Sequence, residues 1–112
     1  MEIAFRTDAL RKLCNDSKAL QRKYGEEGRK LIRRRLDDLE AAPTLDTMRY
    51  LPAARCHQLK GDLAGSLAVD AHRDYRILFK PANDSAPGKP DGGLDWAGVT
   101  AIEIERIEDY HA

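Results

Sequence analysis

The sequence predicts one α+β domain over residues 1–112, with an N-terminal strand and two or three helices packed on one face of an antiparallel β-sheet. Three observations predict it. Apolar residues recur at helical spacing between residues 8 and 42, then alternate with period two after residue 55. Helical and strand-like stretches are grouped rather than interleaved, which sets helices to one side of an antiparallel sheet. The chain has 112 residues and no internal repeat, enough for one modest core.

Ile3 and Phe5 alternate with polar neighbours and read as a short opening strand, free to pair with a later one. Thr7 or Asp8 then caps a helix whose stripe is Leu10, Leu13 and Cys14, at i, i+3, i+4. Asn15-Asp16-Ser17 is a break or a fresh cap, and helical sequence follows through Leu20 and Tyr24. Gly25 and Gly28 weaken that stretch, so a join or kink is expected there. The clearest helix comes next: Ile32, Leu36 and Leu39 repeat at i, i+4, i+7, and Arg29, Lys30, Arg33, Arg34 and Arg35 fill the rest. It should end near Ala42, because Pro43 disfavours helix before it.

Residues 44–51 read as one more helical turn ahead of Pro52. Residues 55–59 read as a strand that runs into a Lys60-Gly61-Asp62 turn. Leu67 and Val69 alternate in a second strand, and Tyr75, Ile77 and Phe79 line one face of a third. Pro81, Pro87, Pro90, Gly88, Gly92 and Gly93 mark residues 81–95 as a loop inserted in a hairpin. Residues 96–107 form the last strand, with Ile102 and Ile104 on one face.

Charged residues make up 34% of the chain and no apolar run approaches the ~20 residues of a membrane span, so membrane function is excluded. The N-terminus lacks a signal peptide's basic start and long apolar stretch, and a cytoplasmic protein is expected. Cys14 and Cys56 are too few for a disulfide framework, and Cys14 falls on an apolar helix stripe. Cys56 adjoins His57, but without Cys-x-x-Cys or His-x-x-x-His spacing neither a metal site nor a cofactor is expected. The formal net charge of zero hides an asymmetry: residues 1–60 carry 14 Lys and Arg against 9 Asp and Glu, and residues 61–112 carry 5 against 10. The basic segment from Lys18 to Arg35 suits a nucleic-acid backbone, with Arg29, Lys30, Arg33 and Arg34 as candidate contacts, and equally suits a solvated helix face.

Three segments hold the chemistry: His57-Gln-Leu-Lys60-Gly-Asp62, Asp74-Tyr-Arg76-Ile-Leu-Phe79 and Glu108-Asp-Tyr-His111. Each residue alone is commonly a surface or strand-end residue. Together they are the set a metal-independent ribonuclease needs: a base for the ribose 2′-OH, cations for the phosphate and an acid for the leaving 5′-oxygen. His57 and His111 are the candidate base and acid, in either order. Lys60 and Arg76 are the phosphate cations, a point charge and a planar fork. In a plain strand Arg76 points away from Tyr75, Ile77 and Phe79, onto an open sheet face. Asp109 can orient a histidine or pair with Lys60, and Tyr110 can stack on a base, donate to phosphate or fill core. His72 and Arg73, in the turn before the third strand, are candidate RNA-side contacts. Glu103 and Glu105 read as an exposed strand face.

Over essentially the whole chain the sequence resembles toxins of the HigB group, within the RelE/ParE superfamily of bacterial toxin–antitoxin systems. The resemblance is carried by Leu51-Pro-Ala-Ala-Arg-Cys-His57-Gln-Leu-Lys60-Gly-Asp62, Gly65-Ser-Leu-Ala-Val69, Asp74-Tyr-Arg76-Ile-Leu-Phe79 and Glu108-Asp-Tyr-His111. It implies a small RelE-like fold and an mRNA endonuclease on translating ribosomes, with functional residues at His57, Lys60, Arg76, Asp109, Tyr110 and His111. It also implies contact with ribosomal RNA and neutralisation by a small DNA-binding antitoxin, a HigA-like helix-turn-helix protein. The 81–95 insertion is longer than the family's, and the neutral charge is low for a protein docking on ribosomal RNA. A ParE-like gyrase-binding toxin and a catalytically attenuated homologue serving as antitoxin partner or co-repressor are the rival readings. The presence of His57, Lys60 and His111 favours the nuclease.

Overall fold

A computed structural model of the chain describes residues 1–83 and 88–109. Strand β1 (Glu2–Phe5) leads into helix α1 (Asp8–Cys14), capped by the Thr7 side chain, which accepts from the Leu10 amide at 3.1 Å. Asp16 caps α2 (Ser17–Ala41) in the same way, accepting from the Ala19 amide at 3.1 Å. The expected kink falls inside α2 at Gly25, whose φ of 78° and ψ of 176° interrupt the helix for one residue. Beyond the last turn of α2, the Met1 ammonium donates to the carbonyls of Leu39, Glu40 and Ala42, at the negative end of the helix dipole.

Two 3-10 turns, Leu45–Tyr50 and Pro52–Ala54, bring the chain to the sheet. Strands β2 (His57–Gln58), β3 (Leu67–Asp70), β4 (Tyr75–Pro81) and β5 (Ala101–Asp109) follow. Two strands differ from expectation. β2 keeps only two of the five residues expected, because Arg55 turns the backbone left-handed (φ 43°, ψ 52°) and a 3-10 turn begins at Gly61. The last strand starts at Ala101 rather than Trp96, because Asp95 caps a further 3-10 turn, Trp96–Gly98, by accepting from the Ala97 amide at 3.2 Å.

The sheet has five strands in the order β1-β5-β4-β3-β2. It is mixed, not antiparallel throughout: β1 runs parallel to β5, with Ile3 opposite Ile102 and Phe5 opposite Ile104. A parallel pair needs a crossover longer than a hairpin turn. The helices and the β2–β4 meander between β1 and β5 supply it. Within β4–β5, Leu78 faces Arg106 while Phe79 faces Ile104, so Glu105 is an extra, bulged residue. That shift of one residue resets the alternation. Ile102 and Ile104 before the bulge and Ile107 after it all reach the core, and Arg106 and Glu108 alternate with Ile107.

The core lies between α2 and one sheet face, where Ile32, Leu36 and Leu39 meet Val69, Ile77 and Phe79. Arg49 lies 3.9 Å over the Trp96 ring and joins two of the 3-10 turns. Asn83 closes the base of the 81–95 insertion: its amide donates to the Gly98 carbonyl at 2.9 Å, and its oxygen accepts from the Ala101 amide at 3.2 Å. Among the described residues, no helix is long and apolar enough to cross a membrane.

Candidate active site

Alternation along β4 sends Tyr75, Ile77 and Phe79 toward the helices and leaves Arg76 on the other face, as expected. The register sets Asp70, Arg76 and Glu108 side by side on β3, β4 and β5. Arg76 donates from Nε at 2.8 Å and from Nη2 at 2.6 Å to one Glu108 oxygen, Oε1. Arg106 donates from Nε to the other oxygen at 3.0 Å. Both partners of the inner pair are largely withdrawn from water, at 16% and 23% side-chain exposure. Burial works against the charge on Glu108, but the hydrogen bonds from Arg76 and then Arg106 outweigh it and hold the carboxyl below the usual range. The expected phosphate cation therefore carries its own carboxylate.

His57 sits half-buried on β2, the outermost strand, opposite Ala68. Its Nδ1 is 2.7 Å from the Arg55 carbonyl oxygen. A carbonyl only accepts, so Nδ1 carries a hydrogen, and Nε2 is the nitrogen that gains and loses a proton. The left-handed backbone of Arg55 presents that carbonyl. The Arg55 side chain forks onto Asp70, Nε to Oδ2 at 2.7 Å and Nη2 to Oδ1 at 3.0 Å. Beneath them Arg35, 8% exposed, donates to the Asp70 carbonyl at 2.8 Å, to the Ala53 carbonyl at 3.1 Å and to Asp38 at 3.2 Å. Sequence reasoning did not single out Arg55, Asp70 or Arg106, and it set Arg35 on the polar side of its helix.

From the strand spacing, the Cα atoms of His57 and Arg76 are about 12 Å apart diagonally across β2, β3 and β4. That is within the joint reach of an imidazole and a guanidinium on one phosphodiester. Lys60 follows β2 and is exposed, with no hydrogen bond or ion pair among the described residues. Asp109 ends β5 in register with Tyr75, so the alternation places it on the side opposite Arg76, away from Lys60. Tyr110 and His111 lie outside the described residues.

The other cations are not part of this cluster. Arg29, Lys30, Arg33 and Arg34 share a surface of α2 with Asp37 and Asp38, in the helical layer across the sheet from Arg76. Three of the four have polar partners: Gln21 at 3.1 Å from Arg29, Glu26 at 3.7 Å from Lys30, and Asp37 at 3.1 Å from Arg33. Arg73 sits in the β3–β4 turn with a left-handed φ of 53°, on a shallow surface shared with Tyr24, Glu27 and His72. Among the described residues no three His, Cys, Asp or Glu side chains converge to share a metal ion. Burial pushes the Cys56 thiol beside His57 up to about 12.

A family model described as a RelE-like toxin of type II toxin–antitoxin system HigB matches residues 3–88. The match takes in β1 to β4, with His57, Lys60 and Arg76, and ends before β5. No curated protein matches the chain.

Proposed function

The chain belongs to the HigB-like family of RelE-like toxins from type II toxin–antitoxin systems, and from that premise we propose that it is a metal-independent mRNA endonuclease acting on translating ribosomes. One observation carries the reading. With Nδ1–H committed to the Arg55 carbonyl, neutral His57 has its lone pair on Nε2, the form a general base requires. In this reading Nε2 takes the proton from a ribose 2′-OH, whose oxygen attacks the adjacent phosphorus. Arg76 and Lys60 hold the phosphate oxygens as negative charge builds. The leaving 5′-oxygen takes a proton from an acid at the chain end, with His111 assigned that role and Asp109 and Tyr110 beside it. The products are a 2′,3′-cyclic phosphate and a 5′-OH. The substrate brings its own nucleophile, so positioning, proton transfer and charge stabilisation complete the step.

A type II toxin has a cognate antitoxin. We assign a HigA-like helix-turn-helix protein to that place, mRNA on the ribosome as substrate, ribosomal RNA as a docking partner and the cytoplasm as the site of action. The test is cleavage of an mRNA on translating ribosomes by wild type, His57→Ala and His111→Ala. The expected result is site-specific cuts with 5′-OH ends, lost in both variants. Wild type that makes no cut at any salt concentration sinks the reading.

The pairing of Arg76 with Glu108 favours a second reading, an attenuated toxin that acts mainly through its antitoxin as a co-repressor. That protein binds antitoxin and tightens operator binding without cutting RNA. A gyrase-directed toxin has no need of the His57 arrangement, and a supercoiling assay excludes or revives it.

A further inference from the structure

We propose that Asp70 and Arg55 are positioning residues for His57: the Asp70 carboxylate holds Arg55 in a left-handed backbone conformation whose carbonyl selects the Nδ1–H tautomer of the imidazole. The inference builds on the nuclease reading for its consequence, but the positioning stands or falls by itself. Three links make the chain. Asp70 grips the Arg55 guanidinium at two points, 2.7 and 3.0 Å. A two-point grip between planar groups fixes orientation as well as distance. Arg55 then keeps φ 43° and ψ 52°. That region is unfavourable for a residue with a Cβ and persists only where surrounding contacts enforce it. In this conformation its carbonyl meets His57 Nδ1 at 2.7 Å.

The strap is anchored from below. Buried Arg35 holds the Asp70 backbone at 2.8 Å and Ala53, two residues before Arg55, at 3.1 Å. Both ends of the Arg55 segment are thus tied to α2. A carbonyl acceptor on Nδ1 does for the imidazole what a carboxylate does in a catalytic triad. It fixes ring orientation and places the basic lone pair on the far nitrogen. Without it, a solvated neutral imidazole favours hydrogen on Nε2, which leaves no base on that atom.

Arg55→Gln and Asp70→Asn test this. Arg55 is exposed, so its loss leaves the core intact, and Asp70→Asn keeps the backbone carbonyl that Arg35 uses. Nitrogen-15 NMR of the His57 ring above its titration reads the tautomer directly, with no substrate present. The expected result is Nδ1–H in wild type and a shift of population toward Nε2–H in both variants, with amide spectra unchanged away from β2 and β3. In cleavage assays kcat falls roughly 10- to 100-fold while KM holds. A rise in KM with the tautomer unmoved would instead make Arg55 an RNA contact and overturn the proposal. An Nε2–H tautomer in wild type, or Nδ1–H retained in both variants, also overturns it. If the tautomer shifts but wild type cuts no RNA, the positioning holds and the nuclease reading fails.

Discussion

Arg76 and Glu108 face each other across β4 and β5, and Arg76 donates two hydrogen bonds, of 2.8 and 2.6 Å, to a single Glu108 oxygen. With Arg106 on the second oxygen at 3.0 Å, the carboxylate stands between two guanidinium groups, where a phosphate would be received. A phosphodiester arriving at Arg76 must compete with it. Glu108→Gln removes the competing charge and leaves both arginines. Single-stranded RNA should then bind more tightly, with a salt dependence steeper by about 0.7 in log–log slope for each phosphate contact released. Filter binding across a salt series reads both. Unchanged affinity and slope would place the RNA path away from this pair.

The same pair sets a pH dependence. Glu108 has a depressed carboxyl pKa in the fold. Such a group adds stability above its unfolded value of about 4.3, and the contribution is lost as pH falls through the folded value. Urea unfolding between pH 6 and pH 3 should show wild type losing stability below about pH 4.3 more steeply than Glu108→Gln. Asp8 is shifted in the same direction by Arg11 and Lys12, at the surface. Salt screens Asp8 far more than the sheltered pair, so the difference should survive added salt. Parallel curves for the two proteins would show that the pair adds no pH-linked stability.

Arg35 is the buried cation that joins α2 to the sheet, through three acceptors. Arg35→Ala leaves two backbone carbonyls and Asp38 without this donor and opens a void under β3. The expected loss is about 3 kcal/mol, read as a fall in urea midpoint. Arg34→Ala, on an exposed neighbour, should stay within about 0.5 kcal/mol. Equal effects would mean that water replaces the Arg35 contacts without cost.

Periodicity carried the sequence reading far where one physical cause acts alone. The caps at Thr7 and Asp16, the Gly25 break, the end of α2 before Pro43 and the outward turn of Arg76 all follow from local rules, and each is present. The reading missed what depends on non-local pairing. The parallel β1–β5 pair leaves no local mark, since β1 would alternate alike in either direction. The Glu105 bulge left a trace: the spacing from Ile104 to Ile107 breaks period two. Arg35 left one too, because i+3 from Ile32 and i+4 before Leu39 lie on the helix's apolar stripe. Gly28 sits where a Cβ would come within 2.6 Å of the Tyr24 Cβ, a crowding created by the kink and invisible to propensity. Of the proposed site, Arg76 could be placed from alternation, whereas the Arg55–Asp70 strap needs β2 and β3 laid side by side.

The two cysteines offer a last test, because one adjoins His57. Burial pushes the Cys56 thiol up to about 12 and the Cys14 thiol up to about 11, each only partly opposed by a nearby arginine, Arg49 and Arg33. The thiolate is the reactive form, and an ordinary thiol has a pKa of about 8.5. At pH 8 iodoacetamide should leave both residues unmodified in the folded protein and label both in urea, as read by intact mass. A raised folded pKa means stability fully present below the unfolded value and lost as pH rises above it. Unfolding midpoints should therefore fall above about pH 8.5, and less so in Cys14→Ala. Cys56→Ser should leave RNA cleavage within about twofold of wild type, since a protonated thiol supplies neither nucleophile nor ligand. Rapid labelling of Cys56 at pH 8 would instead mark an activated thiol beside the histidine and bring it into the site.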